Sequence, residues 1–282
     1  MSASRSEGSS EAQSEAQSGY ALSPDERRAY EEDGFFIRKA VFSEAELDAM
    51  REAGEQVVER AEASSGSGRD YRIDGNRYVE SVGETIQYEH NEDASTVRVI
   101  EPFHHLHPVF DALIDDPRIV EPMCGVIGSQ GVALWTDKIN LKRPREGSAF
   151  RWHQDSPYWT HAHDDVDRLP NVMVVLDDAD EENGCFRVVR GSHRQGCLPG
   201  IEDDSTLGVL FTDPSSFDES EQVPAVAPAG SLVFFSPHTV HGSQPNRSER
   251  PRRAMVLTYQ AAGRPMFKVP GTRNAGSASA PA

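Results

Sequence analysis

The chain of 282 residues carries 28 Lys and Arg against 46 Asp and Glu, a formal net charge of -18 at pH 7. So acidic a surface repels phosphate backbones and argues against nucleic acid as a partner. No apolar run of roughly 18 residues is present and the N-terminus lacks a positive-then-apolar pattern, so neither a membrane-spanning helix nor a secretory signal is expected.

In chain order, residues 1–19 contain only Ser, Ala, Gln, Gly, Glu, Arg and the initiator Met, and read as a disordered tail. The folded body is expected over 20–270 as one domain, and 271–282 as a second tail. Ser23-Pro24-Asp25-Glu26 and Ser43-Glu44-Ala45-Glu46 are capping boxes that predict two helix starts. After the second, Leu47, Met50, Val57, Val58 and Ala61 recur at helical spacing until the Ser/Gly run 64–68. A third helix is predicted from Pro108 through Leu113. Beyond it the pattern turns to strands at Val132–Leu141, Val172–Leu176, Phe186–Val189, Leu232–Phe235 and Met255–Tyr259. Short strands without intervening helices predict an antiparallel jelly-roll core of the cupin-like, double-stranded β-helix type, mainly β with flanking helices. Lys occurs only at 39, 138, 142 and 268, an Arg-rich bias that fits either a salt-adapted or GC-rich source or simple compositional drift. Three cysteines, odd in number and without CxxC spacing, point to a reducing cytoplasm.

Chemistry concentrates in Phe150-Arg151-Trp152-His153-Gln154-Asp155-Ser156-Pro157-Tyr158-Trp159. On an extended strand His153 and Asp155, two apart, present an imidazole nitrogen and a carboxylate to one point. With a distant His they complete a 2-His-1-carboxylate triad that leaves metal positions open. His241, just past the apolar Leu232–Phe235, supplies it in preference to His238 in the preceding turn. Eleven residues later Arg252 opens the next apolar strand, where its planar fork suits a carboxylate; a solvated basic turn is the alternative, since Arg247, Arg250 and Arg253 are neighbours.

These segments, WHQDSPYW, NGCFRVVRGSHRQG (183–196) and GSLVFFSPHTVHGSQPNRSERPRRAMVLTY (230–259), resemble in sequence and order the phytanoyl-CoA dioxygenase family of iron(II)/2-oxoglutarate oxygenases, over about residues 25–265. The resemblance implies His153, Asp155 and His241 as iron ligands and Arg252, with Ser243, as partners of the distal carboxylate of 2-oxoglutarate. It implies Asn140 and Arg98 as further co-substrate contacts, and His193 as a structural residue. The implied cofactors are iron(II), 2-oxoglutarate and O2, and the implied reaction is hydroxylation of a C–H bond with release of succinate and CO2. Halogenases of the wider family carry a small residue where Asp155 stands here, so hydroxylation is expected instead.

Tyr158, Trp159 and, more weakly, Gln154 are the candidate substrate contacts. His104, His105 and His107 read as the polar start of the helix at Pro108, and His161 and His163 as part of an acidic loop, 161–169, that either is solvated or covers the pocket. After the HxD, Ser-Pro-Tyr-Trp-Thr-His replaces the Phe-Glu-Thr-Trp-His of ectoine hydroxylases, and no basic patch suits a CoA nucleotide. The expected substrate is a small, uncharged or cationic molecule. A cupin-like isomerase or hydrolase, or a silent binding barrel, are the competing readings; the first leaves Arg252 unexplained and the second predicts a broken triad.

Overall fold

The computed structural model describes residues 19–64, 68–81, 83–90 and 95–276. Nearly all of the expected N-terminal tail, and the end of the C-terminal one, lie outside these residues.

The chain begins with α1 (Pro24–Asp33), where both halves of the Ser23/Glu26 capping box form and Gly34 closes the helix at φ +86°. Strand β1 (Phe35–Arg38) follows, then α2 (Glu44–Ser64) behind the Ser43/Glu46 pair. A meander of β2 (Arg69–Ile73), β3 (Asn76–Glu80), β4 (Thr85–Tyr88) and β5 (Val97–Glu101) leads to α3 (Pro108–Leu113) and α4 (Pro117–Ile127). The remaining strands are β6 (Val132–Lys142), β7 (Phe150–His153), β8 (Asn171–Val175), β9 (Phe186–Val189), β10 (Gln222–Pro224), β11 (Leu232–Phe235), β12 (His241–Ser243), β13 (Arg252–Ala261) and β14 (Arg273–Ala275).

All strand pairs are antiparallel, in two sheets. The larger runs β1-β11-β8-β13-β6-β5-β4-β3-β2, with β14 added on β6; the smaller runs β10-β9-β12-β7. This is the expected jelly roll, extended on one side by the β2–β5 meander. The five predicted strands are present, and β13 begins three residues earlier than predicted, at Arg252.

Apolar alternation divides the larger sheet between two cores. Val172, Val174, Leu232, Phe234, Met255 and Leu257 pack on the side that includes Leu47, Val57, Phe110 and Ile119 of the helices. Their neighbours Met173, Val175, Val233, Phe235, Ala254 and Val256 cluster with Phe186 and Val188 of the smaller sheet inside the barrel. Both faces are therefore covered, which is why these strands read as continuous apolar runs.

Three features differ from expectation. Helix α4 is unpredicted although Asp116 caps it and Pro117 opens it; Pro122 interrupts the helical pattern. The β2–β3 part of the meander went unread because these strands are polar, with Val79 alone buried, and lack the alternation that marks a half-buried strand. Residues 273–275, expected within a tail, pair with Val132–Leu134 and bury Ala275.

Candidate active site

Strand register creates the site. β12 and β7 pair with His241 directly opposite His153, and their ring centroids stand 4.1 Å apart. Close approach of these strands requires Gly242: a Cβ there would lie 2.8 Å from the Phe150 carbonyl oxygen. Asp155 sits beyond the end of β7, not on it. Its backbone is helical (φ -79°, ψ -30°) and its N–H donates to the Pro237 carbonyl at 3.0 Å. The convergence expected from strand alternation is thus achieved by a turn pinned to the segment that precedes His241.

The side chains meet as the spacing predicts. Asp155 Oδ1 is 4.0 Å from His153 Nε2, and Oδ2 is 3.8 Å from His241 Nε2. Among the described residues these three form the one group of three or more His, Cys, Asp or Glu side chains able to hold a metal ion. His153 Nδ1 donates to the Arg151 carbonyl and His241 Nδ1 to that of Thr239, each at 2.8 Å. Both Nε2 lone pairs consequently face Asp155, the tautomer a metal needs. Burial and the neighbouring His241 push His153 down to about 3, and burial pushes His241 down as well, so both rings stay neutral at pH 7. Burial pushes the Asp155 carboxyl up, but Lys138 and the two imidazoles outweigh it and hold it below its ordinary value. A buried, ionised carboxylate with two neutral imidazoles is a donor set suited to iron(II).

Residues that sequence reasoning did not single out position the carboxylate. Asn171 Nδ2 donates to Asp155 Oδ2 at 3.0 Å, while its own Oδ1 accepts from the Thr258 hydroxyl at 2.6 Å. Lys138 Nζ stands 3.4 Å from Asp155 Oδ1. A signal for the lysine existed: Lys138, Asn140 and Lys142 alternate with the apolar Ile139 and Leu141, and two of only four lysines fall there.

Beside the triad lies a narrow recess walled by Met173, Phe186, Phe235 and Val256, with Asn140, Ser243 and Arg252 among its polar lining. β13 pairs with β6 so that Arg252, Ala254 and Val256 oppose Lys142, Asn140 and Lys138. Arg252 is only 3% exposed, its Nε has no hydrogen-bond partner, and Nη2 reaches Ser243 Oγ at the long distance of 3.5 Å. Asn140 Oδ1 is likewise buried without a partner. Burial pushes Arg252 down to about 10, which leaves it cationic at pH 7. Lys142 Nζ donates to Ser243 Oγ at 2.7 Å and to the Gln244 carbonyl. Burial, with Arg252 and Arg98 nearby, pushes it down to about 5. A buried cation and orphaned polar atoms next to a metal-binding triad fit an anionic co-substrate that ligates the metal at one end and is held by its far carboxylate at the other.

Other expected residues fall elsewhere. Arg98 does not line the recess. It lies over the Phe150 ring (3.9 Å) and is held by Ser148, the Ala149 carbonyl and Glu89, lining a larger cavity instead. Tyr158 and Trp159 line that larger cavity together with His153 and Asp155. Gln154 does not: it is fully buried, donates to the carbonyls of Gly196 and His238 and accepts from Leu198 N–H. Its expected substrate contact is corrected to a structural one, because it points away from the ligands into the loop packing. His238 pairs with Asp167 at 2.7 Å and His193 with the Glu31 carbonyl, both outside the triad. His107 caps α3 and His104 pairs with Asp137, the expected polar helix start.

Comparison with known proteins agrees with this geometry. The family described as Phytanoyl-CoA dioxygenase (PhyH) matches residues 30–254. The ectoine dioxygenase of Bordetella bronchiseptica is 30% identical over 255 residues, 86% of this chain and 76% of the relative. The L-proline trans-4-hydroxylase of Streptomyces griseoviridis is 28% identical over 189 residues, 60% of this chain and 69% of the relative. The crystal structure of EctD from S. alaskensis with 2-oxoglutarate and 5-hydroxyectoine shares the fold, with a TM-score of 0.63 at 22% identity over 89% of this chain and 80% of that one.

Proposed function

The chain belongs to the phytanoyl-CoA dioxygenase family and is an iron(II)- and 2-oxoglutarate-dependent dioxygenase of the hydroxylating type, and from that premise we propose the roles of its residues. His153, Asp155 and His241 hold the iron. Arg252 binds the far carboxylate of 2-oxoglutarate, with Ser243 and Asn140 completing the polar lining. Iron, 2-oxoglutarate and O2 together supply the oxidising power, which converts the co-substrate to succinate and CO2 and places one oxygen atom on a substrate C–H bond.

The protein's own contribution is placement and exclusion of water. The Arg151 and Thr239 carbonyls fix both imidazoles in the ligating tautomer. Asn171 holds the Asp155 carboxylate from behind, so its free lone pairs stay aimed at the metal position. Met173, Phe186, Phe235 and Val256 close the recess with apolar surface, which strengthens the Arg252–carboxylate attraction. No protein base is required at the metal.

The observation that carries this reading is the buried, half-unpartnered Arg252 guanidinium lying in one recess with His153 and His241. A metal-dependent isomerase of the cupin type would leave that cation without an anion. Anaerobic addition of iron(II) and 2-oxoglutarate should produce a visible charge-transfer band that disappears in His241→Ala; its absence from the intact protein would overturn the assignment.

A further inference from the structure

The metal-site recess opens into a cavity of about 980 Å³, the two sharing Lys138, Asn140, Phe150, His153 and Val256. Its size is informative. It stands at the top of the range of roughly 300–1,000 Å³ that encloses drug-sized ligands. A compact solute of about ten non-hydrogen atoms, allowed even the ~30 Å³ share of a water molecule for each, would fill less than a third of it.

The cavity's outer wall is built by an element outside the jelly roll. The β2–β3 hairpin lies at the far edge of the larger sheet and presents Tyr71 and Tyr78 as a stacked pair, 5.6 Å between centroids and 17° between planes. Its tip is fastened across the cavity: Asp74 accepts from Thr206 N–H at 2.9 Å and from Leu207 N–H at 2.7 Å. The hairpin and the 205–211 segment therefore form a fixed wall around the opening. Tyr158, Phe211 and Phe267 add further rings. Flat aromatic faces of this kind stack on rings and attract cations.

Charge narrows the choice. Lys268 is answered by Glu101 at 3.2 Å, Lys138 by Asp155 at 3.4 Å and Arg98 by Glu89 at 3.7 Å, while Arg151 lies over the Phe211 ring at 4.2 Å. The lining cations are thus already engaged, and the lining carboxylates outnumber them six to four. A chain of phosphates would meet repulsion there.

We propose that the molecule oxidised is a bulky, ring-bearing compound of drug size, neutral or cationic, seated against the Tyr71/Tyr78 platform. This rests on the reading of the iron site given above. It keeps the charge expected from the sequence and changes the size: free amino acids, compatible solutes and CoA thioesters are all poor fits.

The test uses the full chain with iron(II) and 2-oxoglutarate, without O2. The charge-transfer band is recorded first, since its absence would defeat the iron-site reading itself and this inference with it. With the band present, binding is measured for the ring-bearing amines daunorubicin and quinine, by fluorescence anisotropy and by perturbation of the band. Ectoine, L-proline and palmitoyl-CoA are measured alongside. At least one bulky amine should bind roughly tenfold or more tightly than any of the other three, and Tyr78→Ala or Tyr71→Ala should weaken it by roughly fivefold or more. A band of parental intensity in each variant certifies its fold. Tighter binding by a compact solute or by palmitoyl-CoA, no binding by either amine, or indifference of binding to both tyrosines overturns the proposal.

Discussion

Replacing Arg252 by leucine should weaken 2-oxoglutarate binding while making the ligand-free protein more stable, and the opposed signs make the test sharp. The guanidinium is 3% exposed, its Nε has no acceptor, and its side-chain hydrogen bond to Ser243 is 3.5 Å long. Removing one partner of a buried, hydrogen-bonded charge pair costs about 2–5 kcal/mol of binding. At about 1.4 kcal/mol per decade, the Kd for 2-oxoglutarate should rise roughly 30-fold to a few thousand-fold. Without co-substrate the same charge is a burden, since an unanswered buried polar group costs about 1–3 kcal/mol or more. Its folded pKa, about 10, lies below the ordinary 12.5. The burden is therefore fully present below pH 10, declines as the pH rises, and is gone above 12.5. At neutral pH the ligand-free Tm of Arg252→Leu should rise by several degrees, at about 2–4 °C per kcal/mol. Anaerobic titration of the charge-transfer band gives the Kd, and calorimetry gives Tm. A Kd within about fivefold of the parent would refute the assignment of Arg252 to the carboxylate.

Asn171→Ala removes the hydrogen bond to Asp155 Oδ2 and should weaken iron(II) by about 10–100-fold in a chelator competition; unchanged affinity would show that Lys138 alone orients the carboxylate. Lys142, held near 5, is neutral at pH 7.5 in the free protein. A carboxylate drawn to within ~4 Å at an effective dielectric constant of ~20 contributes about 4 kcal/mol, or about three pK units, enough to lift Lys142 to about 8. Binding of 2-oxoglutarate should then take up roughly 0.7 proton, visible as a buffer-dependent heat that vanishes in Lys142→Met; heats independent of buffer would exclude this. Ser23→Ala breaks the α1 capping box and should cost about 1 kcal/mol of stability, read as a Tm lower by a few degrees with the charge-transfer band unaltered.

The proposed iron ligands were legible in the sequence because metal chemistry demands particular side chains at short spacing. His153 and Asp155 stand two apart, and His241 follows an unmistakable apolar strand. Continuous apolar runs likewise announced strands covered on both faces, as β8 and β11 are. The capping boxes at Ser23 and Ser43 marked their helices, since these signals lie within one turn of chain.

Tertiary structure decided what depends on register and on distant partners. Only the pairing of β13 with β6 sets Arg252 opposite Lys142 and brings Asn140 to the same face, some 110 residues apart in the chain. Only the burial of Gln154 among backbone carbonyls removes it from the substrate list, and only the fold places Asn171 behind Asp155. The larger cavity was the least legible part. Part of its wall is a polar hairpin whose residues carry no apolar rhythm, and the hairpin tip is tied by Asp74 to the backbone of Thr206 and Leu207. Local chemistry is written in neighbouring residues; the shape of a cavity is set by contacts more than a hundred residues apart.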